Sequence, residues 1–396
     1  MPARPPRRPG VRRLRKSPGR EGPRMTLEAR RARMRESLLG RASLTVLSWL
    51  YGAGVALRNG AYSAGLRRAR HAGCRTVCIG NITTGGTGKT PAVLLAAQTL
   101  KKKGFKPAIL SRGYGRKAGG RDVQALRDGR SPSWEEVGDE PWMMHRALKG
   151  LDIPILVSPD RVAAAETAVR FCGPDILLLD DGFGHRRLGR DADIVLLNAL
   201  DPFGGGRLLP AGNLREPKSA LARAALALVT HADQVQPERL AEIRAAIEAA
   251  RPGLPVAESV HKAEGVYGLK DEVRHSLRWL KGRKVCALSA IGSPTSFEAE
   301  LRKAGAEVVQ AWRYPDHHPY TADEMRSIES VRAGLPLVTT FKDFPRLPKG
   351  WEALLSGEVL ALGIRLEVVR GKAKWEEALC GEAVPVHEEP PEEEET

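Results

Sequence analysis

The chain predicts an α/β fold built on a parallel, doubly wound sheet, followed by a second, smaller α/β region. Three observations predict it. From Arg75 onward, short runs rich in strand formers alternate with helical stretches. One run, "TVCIG" (76–80), leads through the Gly-rich "GNITTGGTGKTP" (Gly80–Pro91) into a helix over roughly Pro91–Lys102. Another, "DILLLD" (175–180), ends in the acid pair Asp180-Asp181, at the strand end where open α/β sheets bind ligands.

Taken in order, residues 1–24 are rich in Pro and Arg and read as a disordered basic arm, or as sequence ahead of an alternative start at Met25. No signal-peptide pattern follows them. The net charge of +16 is not confined there: residues 1–41 carry 14 Lys/Arg against 3 acids, yet 42–387 still hold 49 bases against 38 acids. A basic body suits a phosphorylated substrate, an anionic membrane or a nucleic acid. Next, "ASLTVLSWLYGAGVAL" (42–57) is uncharged, too short to span a bilayer, and flanked by arginines. It reads either as a buried helix or as one dipped into a membrane interface, where Trp49 and Tyr51 would sit well.

Further strands are expected at 107–110, 153–157, 193–198 and 225–230, then "KVCALSAIG" and "PLVTT" beyond a linker near 255–282. Helices are expected there around Pro294–Ala304 and Ala322–Ala333. The five cysteines have no metal-ligand spacing and read as reduced thiols of a cytosolic protein.

The Gly80–Pro91 stretch has the strand–loop–helix context of a phosphate-binding loop. Gly85, Gly86 and Gly88 would let backbone N–H groups approach phosphate, Lys89 would reach the β/γ-phosphates, and Thr90 would bind Mg²⁺. Thr83 stands where the common pattern has its first Gly. Asp180 and Asp181 match a strand-end metal carboxylate, though a strand-end Asp can also cap a helix. Asp139-Glu140 before Pro141 reads as a helix start or as a base that orients a hydroxyl. Arg215-Glu216 closes a Gly-rich stretch, as a loop salt bridge or as phosphoryl and metal contacts. His317 and His318 lie in a Pro-bounded loop, at the surface or as an acid/base partner for Asp139.

In that order, "GNITTGGTGKTP", "SRGYGR" (111–116), "VGDEP" (137–141), "LDDGFGHRRL" (179–188), "LLPAGNLREP" (208–217) and "PDHH" (315–318) resemble the tetraacyldisaccharide 4'-kinase family of lipid A biosynthesis, over roughly 40–370. The family writes its loop without the first Gly. The resemblance implies a RecA-like P-loop domain, a smaller α/β domain and an N-terminal membrane-interface helix. It implies transfer of the γ-phosphate of ATP to the 4'-hydroxyl of tetraacyldisaccharide 1-phosphate at the cytoplasmic face of the bacterial inner membrane.

By residue, the resemblance implies catalysis by Asp139, His317, Lys89 and Arg215. Thr83, Thr84, Gly85, Gly86, Thr87, Gly88, Lys89 and Thr90 would hold ATP. Tyr114, Asn81 and Arg112 would meet the acylated disaccharide phosphate, and Thr90, Glu140, Asp180, Asp181 and Glu216 would surround Mg²⁺. The organisation expected is a disordered basic arm (1–41), a membrane-associated helix (42–66), a P-loop kinase domain (67–254), a linker (255–282), a smaller domain (283–375) and an acidic disordered tail (376–396).

Departures from the family pattern are Gly184 for Gln, Phe341 for Glu in "TTFKD", and "AIGSP" (290–294) for "GIGNP". An ATPase switch of the deviant-Walker type would carry Lys where this chain has Thr84. A nucleic-acid binder finds its best support in the basic arm at 1–24, and the body lacks a recognition-helix or aromatic RNA-binding signature, so no specific nucleic-acid partner is expected.

Overall fold

The computed structural model of the chain describes residues 27–113, 116, 122–130, 132–271, 273–292, 294–315 and 318–381. Two helices come first, α1 (Leu27–Glu36) and α2 (Leu38–Ser63), separated at Ser37, whose hydroxyl caps α2 by accepting from Gly40 N at 3.0 Å. Then follow β1 (Arg75–Asn81), α3 (Lys89–Lys102), β2 (Pro107–Ser111), β3 (Gln124–Leu126), α4 (Trp134–Val137), α5 (Asp139–Ala147), β4 (Ile155–Val157), α6 (Arg161–Cys172), β5 (Ile176–Asp180), β6 (Ala192–Asn198), β7 (Leu226–Thr230) and α7 (Pro237–Ala250). The second half holds β8 (Val256–Gly268), β9 (Arg274–His275), β10 (Lys284–Ser289), α8 (Pro294–Lys303), β11 (Glu307–Arg313), α9 (Ala322–Arg332), β12 (Leu337–Thr340), α10 (Trp351–Leu354), β13 (Val359–Arg370) and α11 (Lys372–Cys380).

All the strands join one sheet, in the order β11-β10-β12-β13-β8-β7-β6-β1-β5-β2-β4-β3, with β9 beside β8. Each side of the join is parallel around its centre, and the antiparallel pair β8·β13 fuses the two. Alternation along β1 sends Val77 and Ile79 to one core and Cys78 to the other. Helix α3 covers the first core with Ala92, Val93, Ala96, Ala97 and Leu100, spaced as one helical face. Two smaller cores flank the second half of the sheet.

Three expected boundaries change. The arm expected over 1–41 is helical from Leu27, and Arg31 Nε donates to Pro210 O at 3.1 Å, so this part is docked. Its Arg, Ala, Leu, Met and Glu residues are strong helix formers as well as polar ones; residues 1–26 lie outside those described. The segment expected as a linker instead holds β8, a strand of 13 residues built into the sheet, and the short β9 beside it. The tail expected from 376 is helical to Cys380, because Trp375, Ala378 and Leu379 of α11 bury themselves in the core of the first lobe. The rest of the tail, from 382, lies outside the described residues.

Candidate active site

The loop after β1 is shaped by two glycines. Gly85 (φ 104°) and Gly88 (φ 82°) hold left-handed backbone in which a side chain would be strained. Thr83 instead forms an antiparallel bridge with Leu214. Extended backbone suits a β-branched residue, so no glycine is required there. The segment around Arg215 is zipped along the same loop: Arg215 N donates to Ile82 O at 2.7 Å, and Thr84 N to Asn213 O at 2.7 Å. From beneath, Asn81 Nδ2 donates to Thr87 Oγ1 at 2.9 Å and Thr230 Oγ1 to Thr87 O at 3.1 Å. Lys89 and Thr90 open α3, whose first N–H groups have no partner within the helix and offer an anion site.

Beside the loop stand the carboxylates. Asp180 ends β5 in register with Ile79 and is buried, accepting a hydrogen bond from Ser111 Oγ at 3.1 Å. Burial, then the neighbouring charges of Glu140 and Asp181, push its pKa up to about 7. Glu140 is also raised, first by burial and next by Asp139. Asp181 lies between two cations, with Oδ1 3.8 Å from Lys89 Nζ and Oδ2 3.2 Å from Arg215 Nη1.

Among the described residues no three His, Cys, Asp or Glu side chains form a ready metal cage. Mg²⁺ does not need one. It usually takes one or two carboxylates and completes its shell with phosphate oxygens and water. A buried carboxylate crowded by like charge, next to an anion-binding loop, fits that demand.

An open cleft of about 2230 Å³ separates the lobes at this point. The second lobe sends Lys342 and Arg346 into it, and Arg346 Nη2 lies 3.6 Å from Asp139 Oδ2. The same guanidinium lies 3.6 Å from Asp343 Oδ1 and donates to Ala290 O at 3.2 Å, so it is fixed from its own side. Asp139 Oδ1 meanwhile accepts from Glu140 N at 3.0 Å. Phe341 packs edge-on against Tyr267, 5.0 Å between centroids, on the same wall.

The expected site residues Thr84, Gly85, Gly86, Thr87, Gly88, Lys89, Thr90, Arg112, Asp139, Glu140, Asp180, Asp181 and Arg215 all line the cleft. Three expected contacts do not. Thr83 and Asn81 are buried under the loop, where they shape it. Glu216, expected at the metal, is buried against α2: its carboxylate accepts from Arg58 and from Asn59 Nδ2 (2.7 Å), with Arg223 at 3.5 Å. A carboxylate already held by two guanidinium groups belongs to the helix dock. His317 and Tyr114 lie outside the described residues. Lys342, Arg346, His231 and His261 line the cleft without having been singled out from the sequence. For the first two, the basic residues of "TTFKDFPR" (339–346) were the available signal.

Residues 40–383 match the family described as Tetraacyldisaccharide-1-P 4'-kinase. The chain is 42% identical to the tetraacyldisaccharide 4'-kinase of Elusimicrobium minutum over 353 residues, covering 89% of this chain and 94% of that protein. It is also 42% identical to the enzyme of that name from Anaeromyxobacter dehalogenans, over 86% of this chain and 90% of the other. Among solved structures, LpxK from Aquifex aeolicus in complex with ATP is similar, with a TM-score of 0.66 and 30% identity over 85% of this chain and 97% of that one.

Proposed function

The chain belongs to the tetraacyldisaccharide-1-P 4'-kinase family, and from that premise we propose that ATP and the acceptor hydroxyl meet in the cleft between the lobes. The reaction is ATP-dependent phosphorylation of the 4'-hydroxyl in lipid A synthesis. The observation that carries the site assignment is the bridging of Asp181 by Lys89 and Arg215 beside the buried Asp180. Phosphoryl transfer asks for positioning and charge neutralisation more than for covalent chemistry. Loop N–H groups and the α3 terminus take the phosphates, which draw Lys89 and Arg215 from Asp181 toward the transferring group. Mg²⁺, held by Asp180 and Thr90 with Glu140 or Asp181 nearby, would neutralise charge on the phosphates.

Asp139 accepts the proton of the 4'-hydroxyl as its oxygen bonds to the γ-phosphorus and the bond to the ADP oxygen breaks. Arg346 orients that carboxylate from the opposite lobe, which ties the base to domain closure. His317 remains the sequence candidate to share the proton. The Asp139→Ala variant tests the assignment: turnover should fall about 10²- to 10⁴-fold while ATP affinity changes by less than about twofold. Parallel loss of both would make Asp139 structural.

The acyl chains of the acceptor place the work at a membrane. Helix α2 supports this, because it is apolar on two sides. Leu44, Ser48 and Val55 are buried on the kinase lobe, with Ser48 Oγ donating to Leu208 O at 2.7 Å. The other side leaves Leu39, Leu47, Leu50 and Leu57 bare, with Trp49 72% exposed. Among the described residues no helix is long and apolar enough to cross a membrane. A helix lying in the headgroup region of the inner-membrane cytoplasmic leaflet fits both facts. Replacing Trp49 and Leu50 by Glu should weaken sedimentation with anionic vesicles about tenfold or more. Unchanged sedimentation would move the anchor elsewhere.

A further inference from the structure

The second lobe carries one cation into the cleft that the reaction has not yet used. Lys342 follows β12, in the turn between Thr340 and Arg346, and its exposed side chain lines the cleft. Both of its neighbours are fixed. The Phe341 ring packs on Tyr267. Asp343 is fully buried: Oδ1 accepts from Ala290 N at 3.0 Å, Oδ2 accepts from Thr340 Oγ1 at 2.7 Å, and its own N donates to Thr340 O at 3.1 Å. A turn held on both sides presents the lysine between them to the cleft. Four residues on, Arg346 Nη2 already lies 3.6 Å from Asp139 Oδ2, so the turn faces the start of α5.

Two landmarks of the first lobe feel the Lys342 charge. One is Glu140: burial, then Asp139, raise its pKa, and Lys89 and Lys342 offset part of the rise. The other is His261, whose ring sits on the phosphate loop, since a Cβ on Gly88 would stand 2.9 Å from its Nε2. Burial, then His231, then Lys342 lower the pKa of that ring to about 3. A charge within reach of both Glu140 and the ring on Gly88 overlooks the loop where the phosphates would lie. The lysine is also uncommitted. Lys89 and Arg215 stand against Asp181, and Arg346 stands against Asp139 and Asp343. Among the described residues Lys342 has neither a hydrogen bond nor an ion pair, so turning to a phosphate breaks none. Its flexible four-carbon stem supplies the reach.

We propose that Lys342 is a further catalytic residue, the cation that the second lobe lays on the γ-phosphoryl group as the lobes close over ATP. It stays protonated throughout. Its ammonium donates to a non-bridging γ-oxygen while the acceptor oxygen bonds to phosphorus and the bond to the ADP oxygen breaks, both electrons of that bond leaving with ADP. Lys89 serves the phosphates from the loop and Lys342 from the facing lobe, so the cation set is complete only in the closed form. The proposal rests on the reading of the cleft as the site of phosphoryl transfer, and the test separates the two.

Transfer from ATP to tetraacyldisaccharide 1-phosphate in detergent would be measured for wild type, Lys342→Met and Lys342→Arg, with calorimetric binding of Mg²⁺-ATP and Mg²⁺-ADP to each. Met keeps the stem without the charge, Arg keeps the charge, and the exposed position accommodates both. In Lys342→Met kcat should fall about 10²-fold, and Lys342→Arg should recover at least about tenfold of the loss. ATP affinity should fall about fivefold in Lys342→Met and ADP affinity by less than about twofold, because only ATP carries the γ-phosphate. A kcat within about threefold of wild type in Lys342→Met would overturn the proposal. So would ATP and ADP affinities that move together or not at all, or a Lys342→Arg enzyme no faster than Lys342→Met. Absence of phosphorylated lipid with wild type would instead overturn the transfer reading on which the proposal rests.

Discussion

Two buried carboxylates, Glu298 of the second lobe and Asp180 of the first, are treated in opposite ways. In the second lobe Glu298 is buried, yet Arg313 donates to both its oxygens, Nε at 2.7 Å and Nη2 at 2.9 Å, with Arg302 Nη2 at 3.4 Å. Those bonds hold its pKa below the usual carboxylate range. In the first lobe Asp180 is just as buried, but its neighbours are Glu140 and Asp181, and its pKa rises to about 7. A charge that serves the fold is satisfied within the fold. A buried charge left short of a partner costs the fold stability and marks a candidate ligand site.

The largest expected effect breaks the comparison at Asp180. Asp180→Asn should lower Mg²⁺-dependent turnover by about 10²-fold or more, since it removes the crowded charge. Turnover near the wild-type rate would show that Asp180 serves the fold after all. Next comes the link between lobes. Arg346→Ala should lower kcat about tenfold while leaving ATP affinity within about twofold, because its contact across the cleft is with Asp139. An equal fall in ATP affinity would mean that Arg346 braces the whole cleft.

The smallest effect is on stability, and its sign follows from linkage. A carboxyl raised to about 7 in the folded state is protonated there at pH values where the unfolded chain has already lost the proton. Stability from this group is therefore present at acidic pH and declines as pH rises through about 7. Asp180→Asn should raise Tm by about 2 °C at pH 8 and by less at pH 5. A Tm that falls equally at both pH values would contradict the view that the charge is destabilising.

The same contrast explains what could be read from the sequence. The loop, β1, α3 and the end of β5 were legible because glycine, strand and helix patterns there are local. Strand β8 was not: "VAESVHKAEGVYG" mixes Glu258, His261, Lys262 and Glu264 into its pattern, and its long partner β13 lies about a hundred residues on. The apolar face of α2 was legible, while the docked Arg31 looked like part of a solvated arm. The partners of Glu216 were not legible, because Arg58 and Asn59 lie more than 150 positions away. Isolated histidines such as His231 and His261 give no spacing signal, and only the fold brings their rings together.

The reading of the cleft turns on phosphate passing from ATP to a lipid hydroxyl over a loop that has Thr83 in place of its first glycine. The most direct measurement is transfer from γ-labelled ATP, with Mg²⁺ and detergent, to tetraacyldisaccharide 1-phosphate, with wild type and Lys89→Ala side by side. Label should appear on the lipid with wild type, and at a rate at least about 10³-fold lower with the variant. Free phosphate without labelled lipid from wild type, or equal labelling by both proteins, would contradict it.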